Sequence, residues 1–277
     1  MIGISKLYFG TVEASDRLRY RKGVHRRPVV VWNCTPACNL ACSHCYAACA
    51  GEQRVLTTDQ ARAVIDDLAA FGVPVILFSG GEPFLRPDIR TLAAHAKARG
   101  IRVTFSTNGT LIDDAWADWI RDLGVAYVGI SIDGTEAIHD AFRRHPGAYR
   151  QSLAAIRRLR DRGVKVGLRV TMTRDNVASL PAIFDLMRRE RVPRICLYHL
   201  VYTGRGREIA ATDLDHAEAR AALNTILAET RTCFETGFPV EVLTVDNACD
   251  GIALYLRMKA ENHPNADQAL ELLTLNG

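Results

Sequence analysis

Short, nearly continuous apolar runs alternate with longer amphipathic stretches along most of the chain. Pro28-Val29-Val30-Val31-Trp32 is the first such run, and others follow at 75–79, 101–106, 125–132, 165–171 and 194–200. Each is too short for a stable helix and reads as a strand covered on both faces. Between the runs, apolar residues return with helical spacing. Ala61, Val64, Ile65, Leu68 and Ala69 set that period, Thr57 or Thr58 offers an N-cap, and Gly72 a stop. Pro87 predicts the start of a helix that stops at Gly100, and Asp113 caps another that ends at Gly124. Helices are also expected near 148–162, 177–191 and 213–236, with a seventh strand at 240–245 and a helical end. Ile4 to Tyr8 reads as a short edge strand.

Strands that alternate with helices at this interval predict a parallel sheet joined by right-handed crossovers. The expected class is α/β, an open or closed barrel of about six units. Residues 1–27 read as an N-terminal extension, 28–200 as the core barrel and 201–277 as a C-terminal extension. In such barrels the chemistry sits at the C-terminal ends of the strands. The unusual residues fall there: cysteines after the first strand, Gly80-Gly81-Glu82-Pro83 after the second, Asn108 after the third, and Ser131 and Asp133 at the fourth.

Three of the chain's eight cysteines occupy eight positions, Cys38-Asn39-Leu40-Ala41-Cys42-Ser43-His44-Cys45. Neighbouring disulfides at this spacing would be strained and leave one thiol over. A zinc knuckle normally takes two separated pairs of ligands. Iron–sulfur clusters take cysteine thiolates, normally four, so a loop that offers three leaves one iron open. That open iron is what a bound S-adenosylmethionine needs.

Composition narrows the partners. The chain has 277 residues with a net charge of +4, too mild for a nucleic-acid binder, and no apolar run long enough for a membrane span. No export signal is read at Met1, and the cysteines are too sparse for a secreted disulfide framework, so a reducing cytoplasm is expected. The dense basic stretch of Arg17, Arg19, Arg21, Lys22, Arg26 and Arg27 reads as a solvated arm, or as a site for a substrate with several carboxylates.

With CxxxCxxC after one strand and Gly-Gly-Glu-Pro after the next, residues 28–200 resemble the radical S-adenosylmethionine enzymes. The resemblance implies a partial (β/α)6 barrel with a helical C-terminal extension. It implies a four-iron, four-sulfur cluster on Cys38, Cys42 and Cys45, with His44 near the adenine. It further implies that Gly80, Gly81 and Glu82 meet the methionine amino group, Ser131 and Asp133 the ribose, and Arg143 the methionine carboxylate. Asn108 and Arg169 are further candidates for that pocket. A reducing donor such as ferredoxin or flavodoxin is an expected partner.

A narrower resemblance rests on Met1–Tyr8, Val30–Asn33, Tyr198–Gly206 and Leu243–Asn247. These stretches are similar to the didecarboxysiroheme deacetylases of the alternative haem pathway and to the related haem d1 biosynthesis enzymes. They imply an iron tetrapyrrole substrate that loses acetate side chains. Tyr198 and His199 are then the candidate catalytic residues, and Arg205 and Arg207 candidates for substrate carboxylates. That group continues into a region with further cysteines, so this chain is expected to stop short of an auxiliary-cluster domain. It also has Ala248, followed by Cys249, where the group has a histidine. The alternatives are a peptide-modifying radical enzyme and a non-catalytic iron–sulfur carrier, which has no need of Gly80–Glu82 or Ser131–Asp133. Cys196 and Cys233 read as core, and Cys34 and Cys49 as flanking thiols.

Overall fold

The computed structural model describes residues 1–11, 27–47 and 54–275. The basic positions from Arg17 to Arg26, and Cys49, lie outside the described residues. Among the described residues eight strands belong to one sheet, in the order β1-β8-β7-β6-β5-β4-β3-β2. The chain divides into two compact units. One comprises Arg27–Leu168 with Val201–Ala210; the other comprises Arg169–Leu200, Ala211–Gly277 and the N-terminal residues.

In the first unit, β2 (Val30–Asn33), β3 (Val75–Ser79), β4 (Arg102–Thr107) and β5 (Tyr127–Ser131) pair in parallel, with Val30 opposite Ile76, Val75 opposite Arg102 and Thr104 opposite Tyr127. Helices α2 (Thr58–Phe71), α3 (Ile89–Ala98), α4 (Asp114–Leu123), α5 (Glu136–Arg143) and α6 (Ala148–Asp161) connect them and lead on to β6 (Val166–Thr171). The local chemistry of α2 explains its limits. Thr57 Oγ1 accepts from the Gln60 amide and Gln60 Oε1 accepts from the Thr57 amide, while Gly72 turns the chain out in the left-handed region. Asp113 caps α4 through the Trp116 amide, and Gly124 ends it in the same way. Phe78 and Phe105 are fully buried and stack at 5.6 Å between ring centres. Each such side chain stabilises the fold by roughly 1.5–3 kcal/mol.

The second unit carries α7 (Leu180–Glu190), β7 (Arg194–Tyr198), α8 (His216–Glu235), β8 (Glu241–Val245), α9 (Cys249–Ala260) and α10 (Ala266–Leu275). Strands β7 and β8 run parallel, with Tyr198 opposite Val245. At the N-terminus, β1 (Ile2–Gly3) pairs antiparallel with β8. The edge strand expected over Ile4 to Tyr8 is instead helix α1 (Ile4–Phe9). Its buried Ile4, Leu7 and Tyr8 follow the i, i+3, i+4 spacing of a helix. The Ser5 hydroxyl accepts from the Val242 amide, which fastens α1 to β8.

The six units that begin at β2 to β7, each a strand followed by helix, match the expected (β/α)6 order. The helical C-terminal part contains the extra strand β8. Helix α5 was not anticipated. Its buried residues are His139, Phe142 and Arg143, and its eight residues are too few for the helical spacing of Ala137, Ile138, Ala141 and Phe142 to stand out.

Candidate functional site

The described stretch of the loop after β2, residues 34–47, is held by contacts within the first unit. At its start, the buried Arg86 donates to Cys34 O at 2.6 Å and Leu56 O at 2.8 Å, with its charge met by Asp88 at 2.7 Å. Next, the Gly80-Gly81-Glu82 turn lies backbone to backbone against it. The Gly81 amide donates to Thr35 O and the Glu82 amide to Ala37 O, both at 2.7 Å. A Cβ on Gly81 would stand 2.2 Å from Ala37 O, and Gly80 has φ +134°. Both positions therefore require glycine, and what comes close to them is the cysteine loop itself.

Glu82 is fully buried, and both carboxylate oxygens are engaged. One accepts from Thr107 Oγ1 at 2.7 Å and the Phe84 amide at 3.3 Å; the other accepts from the Asn108 amide at 2.9 Å. Burial pushes its pKa up to about 7 against the pull of these hydrogen bonds. Asn108 in turn donates to Asn39 Oδ1 at 3.0 Å, and Asn39 donates to Thr110 Oγ1 at 2.8 Å. Glu82 and Asn108 thus join the ends of β3 and β4 to the residue beside Cys38.

Helix α5 holds the other end of the loop. The Phe142 carbonyl accepts from Ser43 N at 3.0 Å and Ser43 Oγ at 3.2 Å, and its ring stacks on His44 with centres 4.3 Å apart. Arg143 forms a buried ion pair with Asp133, at 2.7 Å through Nε and 2.5 Å through Nη2, and also donates to Cys42 Sγ at 3.6 Å. The Asp133 amide donates to His139 Nδ1 at 3.1 Å. Ser131 ends β5, half-buried. Burial, with the Arg143 charge next, pushes His44 down to about 3 and His139 down to about 4, so both imidazoles are neutral at working pH. His44 Nδ1 and His139 Nε2 are buried and have no hydrogen-bond partner. An orphaned ring nitrogen beside a metal-type cysteine loop suits a polar ligand.

Cys38 is exposed, Cys45 half-buried and Cys42 buried, and all three are free thiols. Among the described residues no three His, Cys, Asp or Glu side chains gather around a single metal ion. An iron–sulfur cluster makes no such demand, because each thiolate takes a different iron. The free thiols and the donor from Arg143 to Cys42 Sγ fit such a cluster, since bonds to coordinating atoms orient them. Cys34, by contrast, is buried, donates to Ser79 O, and is pushed up to about 12 by burial. It behaves as a packed thiol, as do the buried Cys196 and Cys233. Cys249 is exposed.

Arg169, Tyr198 and His199 lie in the second unit. The Arg169 guanidinium stands over the Tyr198 ring at 4.7 Å. Burial pushes the Tyr198 phenol above its usual range. His199 Nε2 bonds to Asp250 Oδ2 at 2.9 Å, and Asp250 is buried near the start of α9. Asp250 and Arg86 carried no local signal in the sequence, because each acts on a residue about fifty positions away.

A family model described as the radical SAM superfamily matches residues 32–187. The chain is 49% identical over 290 residues to a Fe-coproporphyrin III synthase of Methanosarcina barkeri, covering all of this chain and 73% of that protein. It is 43% identical over 249 residues to a pre-heme d1 synthase of Dinoroseobacter shibae, covering 88% of this chain and 61% of the relative. Among solved structures, native anSMEcpe with bound AdoMet and a peptide superimposes with a TM-score of 0.68. That match, at 17% identity, covers 85% of this chain and 66% of the other, a likeness of fold. No described helix is long and apolar enough to cross a membrane.

Proposed function

The chain belongs to the radical SAM superfamily, and we propose that it uses S-adenosylmethionine to remove acetate side chains from an iron tetrapyrrole of the didecarboxysiroheme type. The observation that carries the chemistry is the cysteine loop, pinned by Arg86, Gly81, Asn108 and α5, with three free thiols. The substrate class is supported by the likeness to the two synthases, whose names specify iron coproporphyrin and pre-heme d1.

When bound, the cluster and S-adenosylmethionine would supply reductive radical chemistry for hydrogen abstraction from the substrate, in a pocket made by this chain's own residues. Cys38, Cys42 and Cys45 hold the cluster. Gly80, Gly81, Glu82, Asn108, Ser131, Asp133, Arg143 and His44 shape the cofactor's pocket. In this reading the buried Glu82 and Asn108 act by fixing the loop, while Arg143 and Asp133 offer a charged pair to the cofactor's polar groups. An external reductant such as ferredoxin or flavodoxin supplies the electron.

On the substrate side, Asp250 fixes the His199 ring through Nε2. Nδ1 is then the nitrogen left for the tetrapyrrole iron or for proton delivery. Tyr198, with Arg169 against it, offers a flat face to the macrocycle. The test is an absorbance titration of the protein with didecarboxysiroheme. Binding is expected to shift the spectrum, and His199→Ala to alter the bound spectrum. No binding by the intact chain would overturn the substrate assignment.

A further inference from the structure

The turn after β7 contains a second grip on the cysteine loop, outside the residues that match the family model. Residues Gly204–Arg207 form a short 3-10 turn, closed by the Gly206 amide on Thr203 O at 3.1 Å and the Glu208 amide on Arg205 O at 3.0 Å. Arg205 was expected to meet a substrate carboxylate. In the structure its Nε donates to Cys42 O at 2.7 Å, and its own amide donates to Cys45 O at 3.0 Å. One residue thereby satisfies the carbonyls of two of the three thiol-bearing positions, 163 positions from Cys42 along the chain.

The neighbouring glycine shows how tightly the turn is seated. A Cβ on Gly206 would meet Val201 O at 2.3 Å and His44 O at 3.5 Å. The backbone of the turn thus packs closely against Val201 and His44, with no space for a side chain at Gly206. A carbonyl that accepts from a guanidinium gains a charge-assisted bond, stronger than a neutral one. The same positive charge stands beside the two cysteines, and it is one of the charges that keep His44 neutral.

We propose that Arg205 is a positioning residue for the iron–sulfur cluster, which clamps the Cys42–Cys45 arc through its side chain and backbone and sets the cluster's reduction potential with its charge. The proposal rests on the assignment of Cys38, Cys42 and Cys45 as cluster ligands. A cation at this place favours the more negative, reduced cluster, so its removal makes reduction harder. Arg207, exposed in the same turn, remains the residue available to a substrate carboxylate.

The test uses the full chain, reconstituted anaerobically, as wild type, Arg205→Lys, Arg205→Gln and Glu208→Gln. Three quantities are read: iron per chain, the rate of iron loss to a chelator, and the midpoint potential from a titration followed by electron paramagnetic resonance. Arg205→Gln should lose iron roughly ten- to a hundredfold faster, the factor that goes with one charge-assisted hydrogen bond. Its potential should move to more negative values. Arg205→Lys, which keeps the charge but not the fork, should lose iron faster while holding the wild-type potential. Glu208→Gln, an exposed change in the same turn, should keep wild-type chelator resistance. Wild-type iron retention in both Arg205 variants would overturn the proposal, and so would faster loss with no change of potential in Arg205→Gln. Failure of the wild type to take up a cluster would instead overturn the ligand assignment.

Discussion

His139 accepts the Asp133 amide on Nδ1, and Nε2 is enclosed without a partner. The ring is held neutral, with its pKa pushed down to about 4 by burial and by Arg143. In the unfolded chain the same ring takes a proton near pH 6.5. Between these values the unfolded state binds a proton that the folded state refuses. Stability therefore rises with pH across the window and falls as the pH drops from about 6.5 to about 4, then levels off. One such group contributes about 1.4 kcal/mol per pH unit. His139→Gln keeps an acceptor for the Asp133 amide and removes the titration. Denaturant unfolding of the cluster-free protein at several pH values should show a slope flatter by about one proton in the variant. Equal slopes would contradict the buried, neutral assignment. At this scale local spacing was legible, as in the three free thiols of Cys38, Cys42 and Cys45, which are proposed as cluster ligands. Arg205 and Asp250 were not legible in these roles, since their partners lie far away in the chain and a charged side chain gives no hint of which carbonyl or imidazole it will meet.

The elements that carry the site were read with uneven success, for physical reasons. Helix α2 declared itself through Thr57 and Gly72, and β2 to β5 through short apolar runs. Helix α5 did not, because it spans only eight residues, and its inward His139 and Arg143 meet Asp133, a contact that no local pattern announces. Helix α1 was mistaken for a strand because six residues give too little length for its period to stand out. The Gly80-Gly81-Glu82 turn was expected to meet the cofactor's methionine amino group, and its glycines also answer a need that appears only in three dimensions, the approach of residues 35–37. That need makes a prediction. Gly81→Ala places a methyl carbon where Ala37 O stands, so the loop must shift while β3 stays paired in the sheet. Circular dichroism should remain that of a folded protein, with iron uptake on anaerobic reconstitution reduced at least severalfold. Full iron uptake by Gly81→Ala would show that the loop does not depend on this contact.

Across the whole molecule, the (β/α)6 order brings four strand ends of one unit to the cysteine loop, and Tyr198, His199, Arg169 and Asp250 belong to the other unit. The radical SAM chemistry rests on family membership, and the first set is proposed to hold its cofactors. The tetrapyrrole is a proposal that rests on the second set and on the likeness to the two synthases. One measurement joins them: the rate of 5′-deoxyadenosine release by the anaerobically reconstituted chain with S-adenosylmethionine and a reductant, with and without didecarboxysiroheme. Mass spectrometry of the tetrapyrrole accompanies it. The account predicts that the tetrapyrrole accelerates release and loses acetate mass, that Cys42→Ala abolishes both, and that Cys196→Ala preserves both. Release indifferent to the tetrapyrrole, or undiminished in Cys42→Ala, would contradict it.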